Sequence, residues 1–251
     1  MPWNDGLQGQ ALQIAATPNS PLCVVAGPGT GKTFALMRRL IRLLEVDKAD
    51  PERILACTFT RTAAEDITRA ISELGVSGAD DIRTQTVHGF CFSMLSAQDV
   101  LEATIRVPRP LLRFEERFLL QDLCKIGIGG VRDCGKKLMA FSAAWARLQQ
   151  DQPGWPQDDA DQAYQATLLA WLRFHEAILI GELIPEGIKY LRSNPQSPYR
   201  SMFDHLLVDE YQDLNRAEQH LVDLLANDKL VVVGDEDQSI YSFKHAHPDG
   251  I

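Results

Sequence analysis

At 251 residues the chain is long enough for one large domain or two, with ample length for a buried core. Its 45% hydrophobic and 24% charged residues are ordinary globular composition, with no membrane-length apolar run and no signal-peptide pattern in Met-Pro-Trp-Asn-Asp. Five cysteines without paired metal spacing fit reduced thiols in a cytosol, and a net charge of −9 confines any nucleic-acid surface to a local groove.

Residues 1–21 carry Gln8, Gln10 and Gln13 around Leu7 and Leu12. A glutamine can read an adenine edge through one donor and one acceptor, although such residues are more often solvated helix positions. Leu22-Cys-Val-Val25 is an apolar run of the kind that forms a buried parallel strand. Ala26-Gly27-Pro28-Gly29-Thr30-Gly31-Lys32-Thr33 follows, then a helical pattern of Leu36, Met37, Leu40, Ile41 and Leu44. Strand, glycine loop, Lys-Thr and helix together make a phosphate-binding loop. Glycines let backbone N–H groups converge on an anion, and the helix start adds its positive dipole end. Lys32 is placed to reach the β- and γ-phosphates of a nucleotide, and the Thr33 hydroxyl to hold Mg²⁺. Ala26 stands where the motif usually has glycine, a small residue that keeps the loop intact.

Asp50-Pro51 ends the helical pattern, and Ile54–Thr58 reads as a second buried strand with the exit loop Phe59-Thr60-Arg61-Thr62. Thr62 and Glu65 fit a capping box for a helix whose apolar face is Ile67, Ala70, Ile71 and Leu74. Ile82 to Val87 is a strand-like run leading into His88-Gly89-Phe90. From about 97 to 200 the texture is helical, over Leu111–Leu123, Lys136–Leu148 and Tyr164–Ile180, with an acidic loop after Pro153. Trp145, Trp155 and Trp171 suit buried packing better than base stacking, and the basic residues Arg113, Arg117, Lys125, Lys136 and Lys137 alternate with acids as on a solvated face.

The α/β pattern returns at His205-Leu-Leu-Val208, which delivers Asp209-Glu210 to the edge where a parallel sheet binds ligands. Asp209 suits Mg²⁺, and Glu210 suits orienting and deprotonating an attacking water. Asn215 and Glu218 form a further capping-box candidate ahead of Leu221, Leu224 and Leu225. Leu230–Val233 is the most strand-like run and leads into Gly234-Asp-Glu-Asp-Gln238-Ser-Ile-Tyr241. Gln238 is placed to span from a γ-phosphate to a neighbouring loop. Tyr241 and Phe243 alternate, so they stack bases or pack inward; position alone leaves both open. The fold expected is α/β, a parallel sheet flanked by helices with an inserted all-helical subdomain.

Five strings carry a family resemblance: Ala26–Thr33, Thr58-Phe-Thr60, Thr86-Val-His88, Val208-Asp-Glu-Tyr-Gln-Asp213 and Val233-Gly-Asp-Glu-Asp-Gln-Ser-Ile-Tyr241. In order and spacing they resemble the motifs of superfamily 1A helicases, the UvrD/Rep/PcrA-like group, from about residue 7 to 244. The resemblance implies a RecA-like P-loop NTPase subdomain (1A) from 1–97 and 200–251, with a helical 1B-like subdomain at 98–199. It implies ATP and Mg²⁺ as cofactors, single-stranded DNA as partner, and 3′-to-5′ translocation. Gln10 becomes the adenine-reading glutamine, Lys32 and Thr33 keep their phosphate and metal roles, and Asp209 and Glu210 become metal partner and catalytic base. Gln238 becomes the γ-phosphate sensor, and Phe59, Thr60, Arg61, His88, Tyr241 and Phe243 lie along the DNA path.

Three positions depart from the pattern: Arg61-Thr62 replaces Asn-Lys, Lys244 replaces an arginine, and Phe34 replaces a frequent arginine. The family's second RecA-like subdomain, which supplies arginines to the transferring phosphoryl group, is expected beyond Ile251. The chain alone is therefore expected to bind nucleotide weakly and hydrolyse it poorly, in the cytoplasm and without a membrane. A different class remains beside this one: a truncated nucleotide- or DNA-binding regulatory module without motor activity.

Overall fold

A computed structural model describes residues 3–18, 20–27, 29–73, 75–127, 129–149, 156, 158–226 and 229–235. Five strands form one parallel sheet: β1 Leu22–Val25, β2 Ile54–Thr58, β3 Arg83–Thr86, β4 His205–Val208 and β5 Leu230–Gly234, in the order β1-β5-β4-β2-β3. Parallel neighbours need crossover connections, which here contain helices. Every strand therefore ends at the same edge, and the strings read as functional all leave the sheet there.

The chain divides into two compact units, Met1–Phe90 with Asn194–Ile251, and Cys91–Ser193. In the first, α1 Gly9–Ala16, α2 Lys32–Glu45, α3 Arg61–Glu73 and α10 Arg216–Leu225 accompany the sheet. Leu36 and Leu40 of α2 and Ile67 and Ile71 of α3 share one core with Ile54, Ala56, Leu207, Val231 and Val233. The α/β sheet flanked by helices is the fold that the alternation of apolar runs and helical periods predicts.

Some local expectations are corrected. Residues 22–25 do not form a buried strand: β1 is the sheet's edge, with only Val24 buried, Cys23 exposed and Val25 56% exposed. An apolar run shows that a strand wants cover, not that cover is present. The third strand ends at Thr86, so Val87 instead opens α4 Val87–Leu95. The cap of α3 is Thr60, whose hydroxyl accepts the Ala63 N–H at 3.1 Å, and not Thr62, because the helix begins at Arg61. The predicted box at Asn215 and Glu218 is present, with Glu218 N–H on Asn215 Oδ1 at 3.0 Å and Asn215 N–H on Glu218 Oε2 at 2.8 Å.

The second unit is helical: the rest of α4, then α5 Gln98–Thr104, α6 Arg113–Leu123, α7 Val131–Ala146, α8 Asp159–Phe174 and α9 Ile180–Ser193. The expected helix running to Ile180 stops at Phe174, and α9 starts at Ile180 despite containing Pro185 and Gly187. Its core packs Phe141 flat against Tyr164, with ring centroids 5.3 Å apart and planes at 21°. Trp145 is buried in that core, and Trp171 donates its indole N–H to Asp122 at 2.9 Å, so both serve packing; Trp155 lies outside the described residues.

A buried ion pair also lies in this unit. Arg106 donates to Glu182 at 2.6 Å, both at least nine-tenths buried. Burial outweighs the Arg106 charge, and Glu186 adds repulsion, so the Glu182 carboxyl is pushed up to about 7 from 4.5. A folded-state value above the unfolded one means protons are taken up on folding. The contribution to stability is complete below the unfolded value and is lost as pH rises through about 7. Melting temperature is therefore expected to fall between about pH 5 and pH 8, by an amount equivalent to ~3 kcal/mol at most. Glu182→Gln, which keeps an oxygen for Arg106, should flatten that slope in calorimetry at several pH values; an unchanged slope would refute the assignment.

Candidate active site

Loop 26–31 leaves β1 and is tied to the neighbouring strand by Ala26 N–H on the Gly234 carbonyl at 3.0 Å. Gly29 and Gly31 hold φ of +71° and +81°, a left-handed backbone that only glycine adopts without strain. Among the described residues, a Cβ built on Gly27, Gly29 or Gly31 would meet no atom within 4 Å. Thr30 Oγ1 donates to the Gly27 carbonyl at 2.8 Å and holds the turn closed on itself. Helix α2 starts at Lys32, so its first N–H groups and dipole face the loop. A glycine turn opening a helix, with a lysine at the helix start, fits a polyphosphate. Pro28 lies outside the described residues.

The acid pair arrives from the other side of β5. Thr33 Oγ1 donates to Asp209 Oδ2 at 3.1 Å, joining residues 176 apart in sequence. Asp209 is 5% exposed, and its N–H is held by the Cys57 carbonyl at 2.9 Å. Burial first, then the Glu210 charge, pushes its carboxyl above the ordinary range, while the Thr33 hydrogen bond opposes the shift. Two carboxylates and a hydroxyl so placed are hard oxygen ligands suited to a divalent cation such as Mg²⁺.

Glu210 sits at φ +54°, a left-handed conformation that costs a non-glycine residue of order 1–3 kcal/mol. Its N–H donates back to Asp209 Oδ1 at 3.0 Å, which holds the turn. Gln212, 2% exposed, fixes the side chain: its amide donates to Glu210 Oε2 at 2.8 Å. The other end of the same amide accepts the Asp235 N–H at 3.0 Å. Asp235 Oδ2 lies 3.8 Å from Lys32 Nζ, both side chains nearly buried. Lys32, Asp235, Gln212, Glu210, Asp209 and Thr33 thus form one connected set. Gln212 and Asp235 lie inside the motif strings, at strand exits, but nothing in their residue types announces this contact.

Four of the expected DNA-path residues, Phe59, Thr60, Arg61 and His88, leave the sheet at this edge. Phe59 and the cap Thr60 follow β2, Arg61 is exposed, and His88 stands in the first turn of α4. His88 Nδ1 lies 2.9 Å from Glu218 Oε1, whose second oxygen serves the α10 cap. Gln10 is exposed on α1, whose last carbonyls are taken by Arg39 and Arg42 of α2, at 2.6 Å for Thr17 and Ala16. Gly6, just before α1, lies beside the Phe34 ring, but among the described residues no hydrogen bond joins Gln10 to loop 26–33. Gln238, Tyr241, Phe243 and Lys244 lie outside the described residues.

Comparisons with known proteins point to one family. The family model for the UvrD/REP helicase N-terminal domain matches residues 7–251. ATP-dependent DNA helicase UvrD1 of Mycobacterium tuberculosis is 32% identical over 269 residues, covering 96% of this chain and 34% of that protein. DNA helicase II of Escherichia coli is 28% identical over 262 residues, covering 98% and 36%. ATP-dependent DNA helicase PcrA of Leuconostoc citreum is 29% identical over 259 residues, covering 98% and 35%. The chain spans about a third of the length of these relatives. It belongs to the UvrD/REP helicase N-terminal domain family.

Proposed function

We propose that this chain is the ATP-binding part of a cytoplasmic DNA motor that couples ATP hydrolysis to 3′-to-5′ movement on single-stranded DNA. The observation that carries the reading is the Thr33–Asp209 contact, which closes the phosphate loop onto the acid pair across β5. In this reading loop 26–31 binds the phosphates through backbone N–H groups, Lys32 neutralises the β- and γ-phosphates, and Gln10 reads the adenine edge. Thr33 and Asp209 hold Mg²⁺, which when bound offsets charge on the phosphate oxygens. Glu210, locked by Gln212, orients the attacking water and takes its proton. Gln238 reports the γ-phosphate, and Phe59, Thr60, Arg61, His88, Tyr241 and Phe243 line the DNA path.

Residues 1–97 and 200–251 make the 1A subdomain in this reading, and 98–199 the inserted 1B-like subdomain. A second RecA-like subdomain in the longer protein supplies the opposite wall of the nucleotide site. The relatives are named as ATP-dependent or DNA helicases, which supports ATP and DNA as substrates. Nucleotide binding is the direct test: Lys32→Ala should weaken ATP binding by about 10-fold or more in equilibrium titration, the loss of a charge-assisted phosphate contact. Hydrolysis by the 251-residue chain should be slow with or without single-stranded DNA. An unaltered ATP affinity in Lys32→Ala would overturn the site, and robust DNA-stimulated turnover by the chain alone would overturn the missing wall.

A further inference from the structure

Two thiols face each other inside the helical unit. Cys124 follows the end of α6 in a short 3₁₀ turn, and Cys134 completes the first turn of α7. Their Sγ atoms are 3.6 Å apart, and the chain reverses between them through Gly127 and Gly129, both at positive φ. A disulfide needs the sulfurs at about 2.05 Å, so they must approach by about 1.5 Å. Exposure is unequal: Cys134 is wholly buried while Cys124 is partly open to solvent. Cys134 is also fixed in place, since its carbonyl accepts the Tyr164 hydroxyl at 2.8 Å.

We infer that Cys124 and Cys134 are a thiol-modification site, forming a reversible intrachain disulfide when the chain meets a peroxide-class oxidant. Cys124 attacks the peroxide: its sulfur takes one oxygen as the O–O bond breaks, giving a sulfenic acid and one water. The Cys134 sulfur then displaces that hydroxyl, forming the S–S bond, and the leaving hydroxide takes the Cys134 proton as a second water. Two thiols lose two electrons and one hydrogen peroxide gains them. Burial, with Cys124 beside it, pushes the Cys134 thiol up to about 11, so the step draws on a small thiolate fraction and is carried by the closeness of the two sulfurs. Of the other buried thiols, Cys91 is committed through its Sγ to the Leu183 carbonyl at 3.2 Å.

The test uses the Cys23→Ser chain, which removes the exposed thiol of β1. After brief treatment with hydrogen peroxide and denaturation, thiol titration should show two of its four remaining cysteines lost, and dithiothreitol should restore them. Peptide mapping should join the Cys124 and Cys134 peptides, lighter by two hydrogens, and Cys124→Ser should abolish the link. Four surviving thiols, a Cys124 sulfinic acid beside an intact Cys134, or a link between chains would each overturn the proposal. The mapping needs no substitution at Cys134, so a folding defect there cannot obscure the result.

Discussion

Glu210→Gln is expected to lower the rate of ATP hydrolysis by ~10²–10⁴-fold, the range that a positioned general base supplies. The substitution keeps the shape of the side chain, and the glutamine can still meet Gln212, so the left-handed turn at 210 should survive. What disappears, on the proposed reading, is the group that takes the proton from water. ATP affinity should change little, because on that proposed reading the phosphates rest on loop 26–33 rather than on Glu210. Single-turnover hydrolysis with the chain in excess resolves even slow rates and separates the two effects. Gln212→Leu provides the second arm: it frees the Glu210 carboxylate and the Asp235 N–H together, so the rate should fall while Glu210 remains. A Glu210→Gln chain with undiminished turnover would remove the base from this reading.

The largest expected loss of stability lies in the helical unit. Phe141 is fully buried, stacked on Tyr164 and set 6.3 Å from the Trp145 ring. Truncating such a ring costs about 3–5 kcal/mol, from lost transfer free energy and from the cavity left behind. Phe141→Ala should therefore sharply lower the melting temperature followed by tryptophan fluorescence, since Trp145 reports on this core. Nucleotide binding by loop 26–33 should persist at temperatures below that transition. A melting temperature within a degree of the parent would show that this core contributes little.

The legible parts of this fold are those written in local chemistry. The apolar runs 54–58, 205–208 and 230–233 form strands, and the glycine loop with Lys32-Thr33 opens α2. What escaped depends on neighbours. The exposure of β1 follows from its place at the end of the sheet, which four apolar residues cannot reveal. Helix α9 escaped because Pro185 and Gly187 act as breakers in isolation, whereas Leu183, Ile184, Ile188 and Leu191 are all buried. Gln212 and Asp235 escaped because their role is a contact, made 23 residues apart by a backbone N–H that no motif string displays.

The strand order carries a consequence for how the protein is made. Among the described residues β1 pairs only with β5, while β4, β2 and β3 pair among themselves. As the chain emerges from a ribosome, its phosphate-loop strand has no sheet to join until residues 230–234 appear, some 200 residues later. Pairings so distant in sequence are slow to form and leave the early segment without its partner meanwhile. Loop 26–33 and Asp209 therefore share one sheet only once β5 stands between β1 and β4.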